Sequence, residues 1–294
     1  MVLRSRNSQL LAVLALALVW AGGPLWAQTA VVQPSREEAA LSQSYHAMYN
    51  LNFNEAFRQA ESAKAIAKDD PLPWVAEACA VLFREFDRLH ILRSEMFASD
   101  ETFESRTPQS WQPASKAKFD QAIAGAERLA QARLARNRND AGALFALALT
   151  NGLRADDAAL IGKKNMAALG FTKSANSYAE RLLALSPDYY DAYVATGMGK
   201  YIIGGKAAPV RWILRLGGFK GDQEEGIREL KIAAEHGHYL APFARILLAF
   251  DDLRHKRKAD AREILSQLRN QFPSNPLFSQ EIAKLDHTPM GPGQ

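Results

Sequence analysis

The sequence contains very little cysteine and no large excess of charge of either sign. Its single thiol, Cys79, excludes an internal disulfide, a four-cysteine zinc site and a c-type haem attachment, and we expect it to be a small core residue. The 294 residues include 36 lysines and arginines and 32 acidic side chains, a net charge of +4 that falls well short of a nucleic-acid-binding profile. Apolar residues make up 48% of the chain and charged residues 23%, the balance of a folded protein. We therefore expect a globular protein with no nucleic-acid partner.

The sequence also lacks the common catalytic and metal-binding motifs. It contains no His-Glu-x-x-His pair, no Gly-x-Ser-x-Gly elbow and no phosphate-binding glycine loop. His236 and His238 are two residues apart at a predicted helix end, and no third ligand for a metal lies nearby in the sequence. Adjacent acids such as Asp69 and Asp70 point in different directions on a helix, so they do not form a catalytic dyad. These absences predict a protein that is not an enzyme and that holds no cofactor or metal.

One long apolar segment occurs, and it lies at the N-terminus. Residues 10–20 are all apolar, follow Arg4 and Arg6, and lead to a small residue at Ala27. A basic start, a short apolar core and a small residue at the cleavage position are typical of a secretory signal peptide. We therefore predict a signal peptide over residues 1–27, cleavage after Ala27, and a periplasmic or secreted protein.

A retained membrane anchor is the alternative for this segment. Counted through Ala27, the apolar run reaches 18 residues, which is the lower limit for a membrane span. The Gly-Gly-Pro sequence at 22–24 favours cleavage, and residues 28–34 then form a short linker. No later segment is apolar over such a length.

Residues 35–286 are predicted to be helical throughout. Alanine, leucine, glutamate, lysine, glutamine and arginine dominate, and apolar residues recur at spacings of three and four. No run of alternating strand residues with hairpin turns occurs. Helix starts are predicted from the capping pairs Ser35/Glu38, Asn52/Glu55, Asp222/Glu225 and Asp260/Glu263, and helix ends from Asp69–Pro71, Ser186–Pro187, Gly237 and Pro273. The sequence therefore predicts an all-α protein of about 10–12 helices, with a flexible tail at residues 287–294.

A degenerate repeat runs through this helical region. Residues 52–63, 173–197 and 258–276 each place small residues where two helices would approach, followed by a polar helix end and a turn. Residues 132–149 fit the same pattern. The turns are unevenly spaced, so the predicted repeat is irregular.

The repeated segments resemble the tetratricopeptide repeat (TPR), a family built from pairs of antiparallel helices. The bulky and small residues that the family places four apart in its first helix correspond to Tyr193 and Gly197. The aromatic residue and alanine that open its second helix correspond to Phe53 and Ala56, and the proline after that helix corresponds to Pro187. The resemblance implies an irregular TPR-like solenoid of helix pairs. The alternative is an irregular all-helical globule built from the same pairs.

Two insertions are predicted to interrupt the array. Residues 94–113 are polar and are expected to form a long connection whose aromatic side chains pack back on the helices. Residues 203–221 carry Arg211 and Arg215 one turn apart, beside Trp212, and are expected to include a short basic amphipathic helix. One interpretation of that helix is a docking element that binds a partner protein or an anionic surface. The other is a lid that packs on the solenoid.

Part of the second insertion is similar to a eukaryotic group of TPR-like proteins that includes the fungal inclusion-body clearance protein. The shared pattern is a proline, a leucine, Gly-Phe-x-Gly-Asp and a further glycine, at Pro209, Leu214, residues 218–222 and Gly226. This likeness implies that the insertion belongs inside a repeat array. Contact with a membrane is expected only if the signal segment is retained, or weakly through residues 209–216.

The concave side of a TPR-like array is the expected binding surface. Its residues are mostly apolar, and they suit an extended peptide or a partner helix unless the insertions fill the groove and make them core. The repeat places Phe145, Leu149, Gly152, Val194, Met198 and Tyr201 there, with Asn151 beside them. The predicted partner-binding residues are Phe145, Leu149, Asn151, Met198 and Tyr201, together with Arg211, Trp212 and Arg215 of the insertion.

The function predicted from these features is that of an exported, non-catalytic TPR-like scaffold, which binds a protein or peptide partner in the cell envelope. The export signal, the repeat and the absence of catalytic motifs support it. One alternative is an all-helical enzyme or small-ligand carrier, which a deep polar pocket containing His236, His238 or an acid cluster would favour. The other is a membrane-tethered envelope component, which a retained Met1 would indicate.

Overall fold

The structure is a computed structural model, and it describes residues 34–97, 101, 105–205 and 221–287. Within these ranges it contains eleven α-helices and no strand, which confirms the all-α class. The helices are α1 (Arg36–Tyr49), α2 (Phe53–Ile66), α3 (Leu72–Arg88), α4 (Pro113–Arg136), α5 (Ala141–Asp156), α6 (Asn165–Leu185), α7 (Tyr193–Gly204), α8 (Gln223–His236), α9 (Ala241–Arg254), α10 (Lys258–Gln271) and α11 (Pro276–His287). The predicted signal peptide, linker residues 28–33 and tail residues 288–294 lie outside the described residues.

Several helix boundaries follow from local side-chain chemistry, as predicted. Four helices begin with a side-chain oxygen that accepts a backbone N–H three residues later. The cap of α5 by Asp140 was not predicted, and the other three were. The three predicted bonds join Ser35 to Glu38 at 3.1 Å, Asn52 to Glu55 at 3.3 Å and Asp222 to Glu225 at 3.0 Å. The helix ends predicted at Ser186, Gly237 and Pro273 are also confirmed, because α6, α8 and α10 stop at Leu185, His236 and Gln271.

The predicted helix start at Asp260 is wrong. Helix α10 begins at Lys258, and its N-cap is Arg257, which makes no side-chain cap. Lys256 adopts a φ of 61°, so the chain reverses within three residues of α9. Asp252 accepts a hydrogen bond from Arg257 Nε at 2.8 Å and holds that turn in place. An ion pair across the α9–α10 turn, between residues five apart in the sequence, therefore accompanies this boundary.

Consecutive helices pack against one another in pairs along the whole described chain. Helices α1, α3, α5 and α7 also contact each other in that order, so they form one layer. This sequential packing is consistent with a helical repeat-like arrangement. Among the described residues, no helix is both long and apolar enough to cross a membrane.

Small residues let the paired helices approach closely. Ala56 and Ala60 of α2 are fully buried against α1, where Ser44 Oγ donates to the Ala56 carbonyl at 2.8 Å. The α7–α8 crossing is tighter. A Cβ on Gly197 would lie 2.9 Å from the Gly226 carbonyl oxygen, and a Cβ on Gly226 would lie 2.6 Å from the Gly197 carbonyl oxygen. Two glycines facing each other therefore allow these backbones to touch.

The first insertion packs back on the helices, as predicted. The Trp111 ring lies 5.2 Å from the Phe119 ring, and Trp111 Nε1 donates to Asp157 Oδ1 at 2.7 Å. Near its other end, Glu95 pairs with Lys284 of α11 at 2.7 Å. Of the second insertion, only residues 203–205 and 221 are described, so the predicted basic helix lies outside the described residues.

The last helices return to the first. The Asn275 side-chain amide, in the α10–α11 turn, donates to the Tyr49 carbonyl at 2.9 Å. The Tyr49 hydroxyl donates to the Tyr239 carbonyl, in the α8–α9 turn, at 3.1 Å. Phe272, which is only 1% exposed, lies 5.3 Å from the Tyr49 ring. Helix α1 thus packs against both of these later turns as well as against its sequence neighbours.

Candidate functional site

Later parts of the chain contact the helix layer in which the predicted concave surface lies. Phe83 of α3 meets Phe243 of α9 edge to face, with ring centroids 5.9 Å apart. Tyr45 of α1 stacks on Tyr239, just before α9, with centroids 5.0 Å apart. The α8–α9 turn and the start of α9 therefore contact the layer that would line a peptide groove.

Two of the predicted binding residues on α5 are engaged inside the protein. Phe145 is only 1% exposed, and its ring lies 4.8 Å from that of Tyr189. The Asn151 side chain donates to the Leu147 carbonyl, within its own helix, at 2.8 Å. Leu149 is half-buried and packs against the core. As the chain stands, Phe145 therefore presents no surface to a partner.

The predicted residues on α7 retain some exposure. Met198 and Tyr201 are both half-buried, and their helix α7 contacts α5, which carries the other predicted residues. Burial and a hydrogen bond to Asp251 raise the pKa of Tyr201 to about 12. This end of α7 leads directly into the second insertion, where Arg211, Trp212 and Arg215 lie outside the described residues.

Sequence reasoning missed the residue that holds the α8–α9 turn. Asp191 is 4% exposed, and its carboxylate accepts the N–H groups of Tyr239 at 3.0 Å and Leu240 at 2.9 Å. Burial raises the pKa of Asp191, and these N–H bonds offset part of that rise. Leu240 is the N-cap of α9, and its side chain cannot accept a hydrogen bond from the helix. Asp191, which is remote in the sequence, instead accepts backbone N–H groups at the start of that helix.

His236 and His238 face different neighbours. The His236 ring lies 4.9 Å from the Tyr190 ring, whereas His238 Nε2 is 2.9 Å from Ser42 Oγ. On the other side of the ring, Glu38 Oε1 lies 3.9 Å from His238 Nδ1. The His238 ring therefore lies between a serine and a carboxylate. The last distance is too long for a hydrogen bond, and the His238 side chain is half exposed.

One open cleft is lined by both acidic and basic side chains, and several of them form ion pairs. Arg133 bonds Asp70 at 2.6 Å and Asp140 at 2.9 Å, and Glu37 also lines this cleft. Burial works against ionisation of Asp140, but bonds from Arg133 and from the Ala143 N–H lower its pKa overall. Among the described residues, no group of three or more His, Cys, Asp or Glu side chains is arranged to hold a metal.

A second cleft contains a buried ion-pair network. Glu77 is 5% exposed and bonds both Lys64 and Lys118, the latter at 3.0 Å. Lys64 also lies 4.0 Å above the Trp74 ring. These groups satisfy each other and leave no unpaired charge aimed into the cleft. Neither His236 nor His238 lines either cleft.

Two titratable groups lie outside these clefts. Burial raises the pKa of Cys79 to about 12, so this thiol is protonated and unreactive, and its 4% exposure confirms the prediction of a core residue. Burial, with repulsion from Asp157, raises the pKa of Asp156 to about 7. Asp156 therefore changes charge near neutral pH, at the point where α5 gives way to a short π-helical turn, Asp157–Ile161.

No protein-family model matches this sequence, and no curated protein is significantly similar to it. The chain is accordingly defined by its architecture, an all-helical protein whose eleven described helices pack sequentially in pairs.

Proposed function

We propose that the protein is an exported, non-catalytic TPR-like scaffold that binds another protein in the cell envelope. The observation that carries this proposal is the sequential pairing of helices around small residues, such as Gly197 and Gly226. Such arrays present long helical surfaces and commonly act by holding a partner. The signal-like N-terminal sequence supports export, and the sequence motifs of common enzymes are missing.

The partner contacts the end of α7 and the basic insertion that follows it. Phe145 is buried, whereas Met198 and Tyr201 keep partial exposure, as Leu149 does. For Arg211, Trp212 and Arg215 the proposal rests on the sequence, in which five basic residues and no acid occur from Lys200 to Gly221. An acidic or mixed apolar–acidic protein surface suits this composition.

Copurification from the native envelope tests the scaffold. The wild type is expected to bring down a specific partner that the Arg211→Ala/Trp212→Ala/Arg215→Ala variant loses. A matched control removes Arg58 and Arg228, whose side chains are 74% and 61% exposed, and it should keep the partner. A partner kept by all three proteins would place the contact elsewhere on the array. Capture of no specific partner by the wild type would overturn the scaffold.

Export is tested by the N-terminus of the purified protein. Mass spectrometry is expected to find Gln28 first, which means cleavage after Ala27. A chain that still begins at Met1 or Val2 would instead be a membrane-tethered component.

One observation favours a second candidate, a hydrolase. Ser42 Oγ lies 2.9 Å from His238 Nε2, a serine–base pair of the kind that activates a nucleophile, although Glu38, at 3.9 Å, does not hydrogen-bond the ring. A serine-reactive fluorophosphonate probe tests it, with Ser42→Ala as the control. Labelling that requires both Ser42 and His238 would support the hydrolase function. Absence of labelling would leave the scaffold function as the proposal.

A further inference from the structure

We propose that the solvent face at the start of α6 docks on an anionic phospholipid bilayer. The face, which we call the basic–apolar patch, consists of Lys163, Lys164, Met166, Ala167 and Gly170. It is separate from the partner surface proposed above, and it does not depend on a partner protein.

The patch is one continuous face of the chain. Met166, Ala167 and Gly170 are spaced so that they lie on the same side of α6. Met166 is 81% exposed, the highest exposure of any large apolar side chain in the described residues. No atom lies within 4 Å of the position that a Cβ on Gly170 would take, so the surface beside Met166 is open. Lys163 and Lys164 border this apolar centre on the side where the helix begins.

The charge of the patch is all positive. Residues 158–179 contain three lysines and no acid. Within the described part of the chain, neither Lys163 nor Lys164 forms an ion pair, so their charges are not neutralised by a carboxylate. The acid just before this stretch, Asp157, is bonded to Trp111 on its other side. The positive patch therefore complements a negatively charged surface.

An anionic bilayer fits this patch better than a protein does. A stable protein interface needs roughly 1,000 Å² of complementary surface, and one methionine beside alanine and glycine supplies a small part of that. Binding to the headgroup layer of a bilayer requires a smaller contact area, because lysines attract anionic lipids and a single apolar side chain can insert between headgroups. The contact is expected to be weak, reversible and sensitive to salt.

Vesicle binding of the exported form tests the proposal. The described core lies wholly within residues 40–282, so cleavage after Ala27 leaves it intact. A chain that retains residues 1–27 is compared only with its own variants, since that segment contributes equally to each. The probes are vesicles of phosphatidylglycerol and phosphatidylethanolamine, against pure phosphatidylcholine, at low salt.

The lysines and the methionine are tested separately. Lys163→Glu/Lys164→Glu is expected to weaken binding to the anionic vesicles by at least about 30-fold, roughly fivefold for the loss of each lysine, with repulsion of the new glutamates in addition. Met166→Gln should weaken it by about threefold, because less apolar surface is buried. Lys68→Glu/Lys231→Glu is the matched control, since it makes the same change in net charge at two exposed lysines elsewhere, and it should stay within about twofold of the wild type.

Each of four results would overturn the proposal. Two concern the wild type: equal binding to phosphatidylcholine and the anionic vesicles, or binding to neither. The third is a loss of binding by the control variant as large as that of the patch variant, which would assign the effect to net charge. The fourth is a patch variant that keeps its vesicle binding but loses an acidic protein from copurification, which would make the patch a protein interface. Lys163 is half-buried and the other substituted side chains are exposed, so circular dichroism of each variant checks that the fold is unchanged.

Discussion

The carboxylate of Asp191 accepts the backbone N–H of Tyr239 at 3.0 Å, although 48 residues separate the two in the sequence. Together with its bond to the next N–H, this contact fixes the turn that carries Tyr239 against α1. The start of α9 thus depends on an acid that lies just before α7.

Replacing Asp191 should therefore loosen the contact between α1 and the α8–α9 turn. Asp191→Ala leaves two buried N–H groups without an acceptor, and we expect a loss of about 2–4 kcal/mol in the free energy of unfolding. Urea denaturation measures the loss, and hydrogen exchange should locate it at the start of α9. Asp188→Ala, at an exposed acid nearby, is the control. Equal stability of the two variants would contradict the role given to Asp191.

The glycine pair at the α7–α8 crossing gives a second prediction. Gly226→Ala places a Cβ 2.6 Å from the Gly197 carbonyl oxygen, so the two helices must move apart. We expect a loss of about 2 kcal/mol or more in unfolding free energy. Gly152→Ala is the matched control, because its Cβ meets nothing within 4 Å, and it should stabilise the protein by about 0.5–1 kcal/mol. Thermal denaturation of both variants decides whether the crossing is as tight as described.

Asp156 predicts a specific dependence of stability on pH. Its pKa is about 7 in the folded protein and about 3.9 in an unfolded chain. The folded state therefore binds more protons between pH 4 and pH 7, and stability falls as the pH rises through that window. Asp156→Asn removes this loss, so the variant should be more stable than the wild type by about 2–4 kcal/mol at pH 8 and nearly equal to it at pH 4. Parallel pH profiles for the two proteins would show that Asp156 titrates normally.

Phe145 tests whether the predicted groove residue is core. Phe145→Ala should cost about 3–5 kcal/mol of stability, because the ring is buried against Tyr189. Met166→Ala removes an exposed side chain and should change stability by less than about 0.5 kcal/mol. Chemical denaturation compares them, and a small effect at Phe145 would mean that the groove is open in solution.

Local chemistry made much of the fold predictable. Ser35, Asn52 and Asp222 bond N–H groups three residues away, so their helix starts are visible in short stretches of sequence. Helical periodicity likewise placed Phe145 on the inner side of α5. The sequence could not show that the Tyr189 ring lies against Phe145, because Tyr189 comes from a later part of the chain. The prediction at Asp260 failed for a different reason: Arg257 pairs with Asp252 five residues earlier, and it takes the N-cap position without a side-chain cap.

The bonds that Tyr49 makes with Tyr239 and Asn275 change how the protein should unfold. In an open array each unit depends on its neighbours alone, and the ends fray first. Here α1 is held by partners 190 and 226 residues away, so loss of α10 and α11 would also release the first helix. Contacts of such long sequence separation slow folding relative to a helical protein with local contacts only. They also couple both ends of the chain into one cooperative transition, so truncation from the C-terminus should unfold the protein as a whole.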